Sequence, residues 1–394
     1  MTRIVEVREQ TVRLEAAIRN SLIDFSQMTV SVVAVVTDRR RDGRPVVGLG
    51  FNSIGRYAQG GMLRDRFIPR LLDADPGALV DSDSGELEPA RVRDLLMKNE
   101  KPGGHGERSG AVAALEIAVW DAAAKLAEVP LYRLLADRYN GGEYDRAVEV
   151  YAAGGYYYPE DGIGRLIDEM RGYLDSGYTH LKMKIGGAGL DADVERLEAV
   201  LGLVDGDGGR LAVDANGRFD LETAIAYGER LEPYGLRWYE EPGDPLDFAL
   251  QAELGRHYAP PFATAENLFS HEDVRNLLRY AGLRPDVDIL QMDPGLSYGI
   301  VELDRMLSVM REQDWSPRRL IPHGGHLMAL HMAAGLQLGG NESYPGIFQP
   351  FGGFGRQHEV VDGAIAIADQ PGIGLELKPE LEPVLSELVP EAFG

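Results

Sequence analysis

The chain has 394 residues, a net charge of −23 and no cysteine. That length suits a large domain with a smaller partner. The acidic balance argues against a nucleic-acid ligand, because such a surface repels phosphates. The missing thiols exclude disulfides, thiolate nucleophiles and cysteine-held metals.

There is no run of about 18 apolar residues, as a membrane span would need. The opening MTRIVEVREQ alternates charged and apolar residues and lacks the apolar stretch of a secretory leader. A soluble, cytoplasmic protein is expected. Ile4–Val12, Thr29–Thr37 and Pro45–Phe51 read as strands from their β-branched, alternating or continuous apolar character. Ser109–Leu126 has the mixed three-to-four spacing of a helix. Residues 1–147 are therefore expected to form an α+β domain. From 148 the texture becomes short apolar strands, each ending in a polar cluster and followed by a helical stretch. The strands are Val148–Ala153, His180–Ile185, Arg210–Asp214, Leu236–Glu240, Pro261–Glu266, Asp288–Asp293, Arg319–His323 and Leu338–Glu342. Eight strand–helix units predict a (β/α)8 TIM barrel over 148–357. The segment 358–394 is expected to return to the first domain.

One ionisable residue closes each of six strands: Lys184, Asp214, Glu240, Glu266, Asp293 and His323, at spacings of 30, 26, 26, 27 and 30. Each spacing is one strand–loop–helix unit, so the six side chains should meet at the C-terminal mouth of the barrel. Three carboxylates there, Asp214, Glu240 and Glu266, would repel one another unless a cation lay between them. Oxygen-only ligands favour Mg2+ over Zn2+.

Lys182 and Lys184 form a K-x-K pair whose side chains share one face of a strand. Each lysine beside another cation should have a lowered pKa, which suits a general base. His323 and Asp293 fall on neighbouring strands and read as an oriented acid–base dyad. His326, in HGGH, reads as structural. The glycine-rich Gly187–Ala192 turn is a weak dinucleotide fingerprint, and two lysines precede it on a strand that should bury apolar residues.

These motifs resemble those of the mandelate racemase branch of the enolase superfamily, over essentially the whole chain. Within that branch, NEKPGGHGERS (99–109), YAAGGYYYP (151–159), KMKIGGA (182–188), IPHGGH (321–326) and GGNESYP (339–345) are similar to segments of the D-tartrate dehydratases. The resemblance implies an α+β capping domain built from both termini and Mg2+ on Asp214, Glu240 and Glu266. It makes Lys184 the base that removes the α-proton, with Lys182 supporting the enediolate. His323, oriented by Asp293, acts from the opposite side. Glu342 would have to be protonated to donate to the substrate carboxylate, and Lys101, Asn20 and Tyr158 would be further substrate contacts. The implied reaction is dehydration of an acid sugar, D-tartrate to oxaloacetate in its narrowest form. Another aldonate or diacid sugar, or racemisation, uses the same residues. The loop FNSIGRYAQGG (51–61) should read the far end of the substrate, although Ile54 is apolar where a diacid would want a polar contact. A homo-oligomer is expected.

Overall fold

A computed structural model describes residues 1–158 and 162–394. Three antiparallel strands open the chain: β1 (Ile4–Arg13), β2 (Thr29–Arg41) and β3 (Arg44–Phe51). Strand β2 is buried along most of its length because each face meets a different core. Val33 and Val35 pack with Ala111, Ala114 and Ala118 of the Arg108–Leu126 helix, whereas Val32, Ala34 and Val36 join the main core. That helix is buried nearly all round, so it shows no apolar stripe. Its alanines bring it so close to β3 that a Cβ on Gly48 or Gly50 would lie 2.0 Å from the Ala118 carbonyl or 2.4 Å from that of Ala114.

The barrel begins with β4 (Ala147–Gly154). It continues through β5 (Leu181–Lys184), β6 (Leu211–Asp214), β7 (Tyr239–Glu240), β8 (Phe262–Thr264) and β9 (Ile289–Leu290), all pairing in parallel. The seventh position, around Leu320, holds to Leu290 by a single bridge. The eighth, β10 (Asn341–Ser343), pairs with β4 and closes the ring. The strands are shorter than their apolar runs suggest: β7 pairs over two residues and β9 over two. Register places Lys184, Asp214 and Glu240 in one row across β5, β6 and β7.

The tail departs from expectation at its start. Strands β11 (Val360–Val361) and β12 (Ala364–Ala366) form a hairpin on the barrel, with β12 antiparallel to β4. Only after it does the chain rejoin the capping domain. There the Ile373 N–H donates to Asp121 at 2.6 Å, and Arg8 grips the Leu388 carbonyl and Glu391. Two capping segments lean over the barrel mouth: Ser21 donates to the Ala215 carbonyl, and the Ser53 N–H donates to that of Gly295. Among the described residues, no helix is long and apolar enough to cross a membrane.

Candidate active site

Asp214, Glu240 and Glu266 each offer an oxygen, and these oxygens lie within 4.8 Å of one another. Asp214 and Glu240 lie in the same register row. Glu266 stands beyond the end of β8, after Ala265, whose φ of +94° turns the chain sharply. Donors fix the first two. Asp214 accepts the Asn216 N–H at 2.8 Å and an ion pair from Lys184. Glu240 accepts Lys182 at 2.6 Å on one oxygen, and Trp238 Nε1 at 2.8 Å and Gln291 Nε2 at 2.9 Å on the other. The donor set is all oxygen, largely buried and partly open at Glu266, which fits a hard divalent cation.

The charge balance supports that fit. Among the described residues, the ion-pair partners of Asp214, Glu240, Glu266, Asp293 and Glu342 are Lys182, Lys184 and His323, and Glu241 has none. Burial and the neighbouring Asp214 push the Glu240 carboxyl up to about 8. Burial, with Glu266 and Asp214 nearby, raises Glu241 well above the carboxylate range. This is the excess negative charge that a cation would absorb.

Lys182 and Lys184 both turn into the barrel. Lys182 is fully buried between Glu240 and Glu342, at 2.6 Å from each. The expectation of lowered lysine pKa values is corrected. Burial does oppose the charge on Lys184, but its ion pair with Asp214 outweighs this and raises its pKa. Lys182 is likewise raised, by Glu240 and Glu342 acting against burial. The protonated Glu342 is corrected too. Burial works against its charge, yet Lys182 and His323 hold it ionised, near 2, and it accepts the Gly324 N–H at 2.9 Å.

The dyad forms as the spacing implied. His323 Nδ1 lies 2.9 Å from Asp293 Oδ2, and the other Asp293 oxygen accepts the Gly295 N–H at 2.7 Å. Burial disfavours the imidazolium, but Glu266, Glu342 and Asp293 surround it and hold it protonated up to about 10. Its Nε2 lies 3.0 Å from the Tyr344 hydroxyl and 3.5 Å from Glu266. His326 is structural: its Nδ1 accepts the Ala329 N–H at the start of a helix, and its Nε2 faces Ser53 Oγ at 3.1 Å. Gly187 lies against the Tyr157 ring, and its N–H donates to the Tyr157 hydroxyl at 2.8 Å.

A cavity of ≈ 420 Å³ opens above these groups, lined by Lys184, Glu266 and His323 from the ladder. Asn20 lines it as well, with its side-chain oxygen accepting the N–H groups of Leu22 and Ile23. The structure does not bring Lys101 or Tyr158 to it. Lys101 is exposed on a loop. The Tyr158 hydroxyl donates to Glu169 at 2.8 Å, and its ring lies against Arg165 outside the barrel mouth. Pro159, which ends that segment, lies outside the described residues.

Sequence reasoning missed several lining groups, Tyr156, Tyr344, Glu241 and Arg56 among them. Tyr156, two residues before the tyrosine expected, has its ring 5.4 Å from Lys184 Nζ. Tyr344 lies just past Glu342 in the GGNESYP segment. Glu241 should face away from Glu240 on a strand, but its φ of +36° swings it to the cavity. Arg56 lies inside the 51–61 loop that the sequence reading singled out.

A family model described as "Enolase C-terminal domain-like" matches residues 165–381. The chain belongs to the enolase superfamily. Arabinonate dehydratase of Saccharolobus solfataricus is 30% identical over 70% of this chain and 72% of its own length. L-talarate/galactarate dehydratase of Salmonella typhimurium is 28% identical over 89% and 81%. The crystal structure of L-talarate dehydratase from Polaromonas sp. JS666, complexed with Mg and L-glucarate, superposes with a TM-score of 0.77. That match has 26% identity and covers 97% of each chain. These relatives are superfamily dehydratases, and the superposition agrees with a capped TIM barrel.

Proposed function

We propose that this chain is a Mg2+-dependent acid-sugar dehydratase, with D-tartrate to oxaloacetate as the narrow form of the reading. The observation that carries it is the lining of one cavity by Lys184 and by His323, which is paired behind the cavity wall with Asp293, beside the carboxylate triad. Dehydratase relatives and a magnesium-bound neighbour support it. The tartrate form rests on the five segments quoted above.

Asp214, Glu240 and Glu266 would hold the cation. Once bound, it would draw Asp214 away from Lys184 and stabilise negative charge developing on a substrate carboxylate. Lys184 Nζ, once free of its proton, takes the α-hydrogen of the substrate. Lys182 supplies fixed positive charge beneath the resulting enediolate. His323 Nε2 gives its proton to the β-hydroxyl, which leaves as water, and the enol becomes a keto acid. Asp293 keeps the imidazole aimed and charged. Racemisation would use the same two groups, with His323 returning a proton to carbon.

Purified protein with Mg2+, screened against mono- and diacid sugars, should produce keto acid. D-tartrate turnover without L- or meso-tartrate turnover is the narrow expectation. Activity confined to hexonates overturns the tartrate form. Inversion without keto acid overturns dehydration.

A further inference from the structure

The cavity holds a third cation that the reaction does not use. Arg56 reaches it from the loop after β3. Its Nη2 donates to Asn267 Oδ1 at 2.7 Å and its Nη1 to the Gly55 carbonyl at 2.9 Å. The guanidinium lies 5.3 Å from the Phe269 ring centre. Lys184 is paired with Asp214, and His323 with Asp293. Among the described residues no carboxylate lies within ion-pair distance of Arg56. Two of its five N–H groups have partners; the other three have none among the described residues.

Its loop is fixed to both domains. The buried Asn52 side chain donates to the carbonyls of Ser53, Arg56 and Tyr57. Ser53 meets Gly295 through its backbone and His326 through its hydroxyl. The guanidinium is therefore held in place before any ligand arrives, which lowers the cost of using it. The same lining carries the apolar side chains Leu22, Ile23, Ile54, Leu246 and Phe269 beside the polar Asn216, Asp244 and Asn267. A planar fork with free donors in that setting suits a carboxylate.

We infer that Arg56 binds the second carboxylate of a short hydroxy-diacid and so sets a preference for diacids over monoacids of equal length. This inference rests on the reading under Proposed function and narrows its substrate class. It also replaces Lys101 as the cation contributed by the capping domain.

The test compares malate with 2-hydroxybutyrate, four-carbon hydroxy acids that differ in the terminal carboxylate. Calorimetric titration of each into the Mg2+-loaded protein gives affinities without requiring turnover. Malate should bind about 10- to 100-fold tighter, as one charged, forked contact provides. Arg56→Met should erase that difference while leaving 2-hydroxybutyrate affinity and the thermal midpoint unchanged. Arg56→Lys, which keeps the charge and loses the fork, should retain part of it. Equal affinity of the wild type for both acids overturns the inference, as does a preference that survives in Arg56→Met. Equal loss of both ligands in the two variants would mean a structural role and also overturns it. If the wild type binds the acids equally yet forms keto acid from acid sugars, the dehydratase reading stands and this inference alone falls. If it neither binds nor converts any of them, both fall.

Discussion

Glu116 joins the two domains through a buried carboxyl. It lies in the middle of the capping helix, yet its oxygens accept the backbone N–H groups of Ile300 at 2.8 Å and Val301 at 3.0 Å, at the start of the Ile300–Glu312 barrel helix. Trp120 Nε1 adds a third bond at 2.8 Å. Gly299 must be glycine, since a Cβ there would sit 2.0 Å from Glu116 Oε2. This contact fixes the far end of the loop that begins at Asp293. Burial pushes the Glu116 carboxyl from 4.5 up to about 7, against the three donors. A folded-state pKa above the unfolded value means that the native state holds its proton more tightly. The resulting stabilisation is complete below pH 4.5 and is lost as pH rises through 7. About 2.5 units correspond to about 3 kcal/mol. Glu116→Gln keeps an acceptor and removes the titration. Urea unfolding of both proteins at pH 5 and pH 8 isolates this term, because the other groups cancel in the difference. Wild type should lose about 2.5 kcal/mol relative to the glutamine variant between those limits, since part of the effect is already gone at pH 5. A stability difference, wild type minus variant, that is the same at both pH values or rises with pH refutes the argument. Glu116→Ala should destabilise at every pH, by about 1–3 kcal/mol for each orphaned donor.

The site makes further predictions. Lys184→Ala should abolish both solvent exchange of the α-proton and turnover, by about 10²–10⁴-fold, as read by NMR in D2O; exchange at the wild-type rate would remove Lys184 as the base. His323→Asn should retain α-proton exchange and stop keto-acid formation, whereas loss of both would mean that the two steps are concerted. Tyr344→Phe removes the hydroxyl beside His323 Nε2 and should lower kcat by about 10-fold with KM little changed. Chelation should stop turnover and lower the thermal midpoint, and Mg2+ at about 100 times its Kd should restore about 2.7 kcal/mol of stability. A midpoint that ignores chelator and metal would discount the triad as a cation site.

The ladder was legible because a barrel repeats a unit of nearly constant length. Spacings of 26 to 30 residues bring strand ends together whatever the intervening helices contain, and Asp214, Glu240 and Glu266 converge accordingly. What lay beyond the strand ends was less legible. Glu241 and Ala265 leave strand geometry through positive φ values, so alternation predicts the wrong face. Of three consecutive tyrosines, Tyr156 reaches the cavity and Tyr158 turns to Glu169. That choice depends on a turn that periodicity does not encode. Lys101 and Arg56 both lie on capping loops. Only the second loop is tied down by an asparagine whose bonds go to its own backbone. The hairpin at 360–366 was missed because Val360, Val361 and Ala364–Ala366 are too short to read as strands.

The lysines show most clearly what a one-dimensional reading leaves out. K-x-K places two cations on one face, and taken alone each should lower the pKa of the other. In the folded chain, however, the charge of Lys182 is taken up by Glu240 and Glu342 at 2.6 Å on either side. Lys184 therefore responds mainly to Asp214, and that contact raises its pKa. Its basicity is set by whether Asp214 remains bound to it. The residue that carries the proposed proton transfer and a residue that carries the proposed cation are thus one ion pair. Asp214→Asn should weaken cation binding and also lower the Lys184 pKa, because a neutral amide no longer holds the ammonium. Loss of activity in that variant with an unshifted lysine would separate the two roles; a shifted lysine would show that the acidic triad and the base are one electrostatic unit.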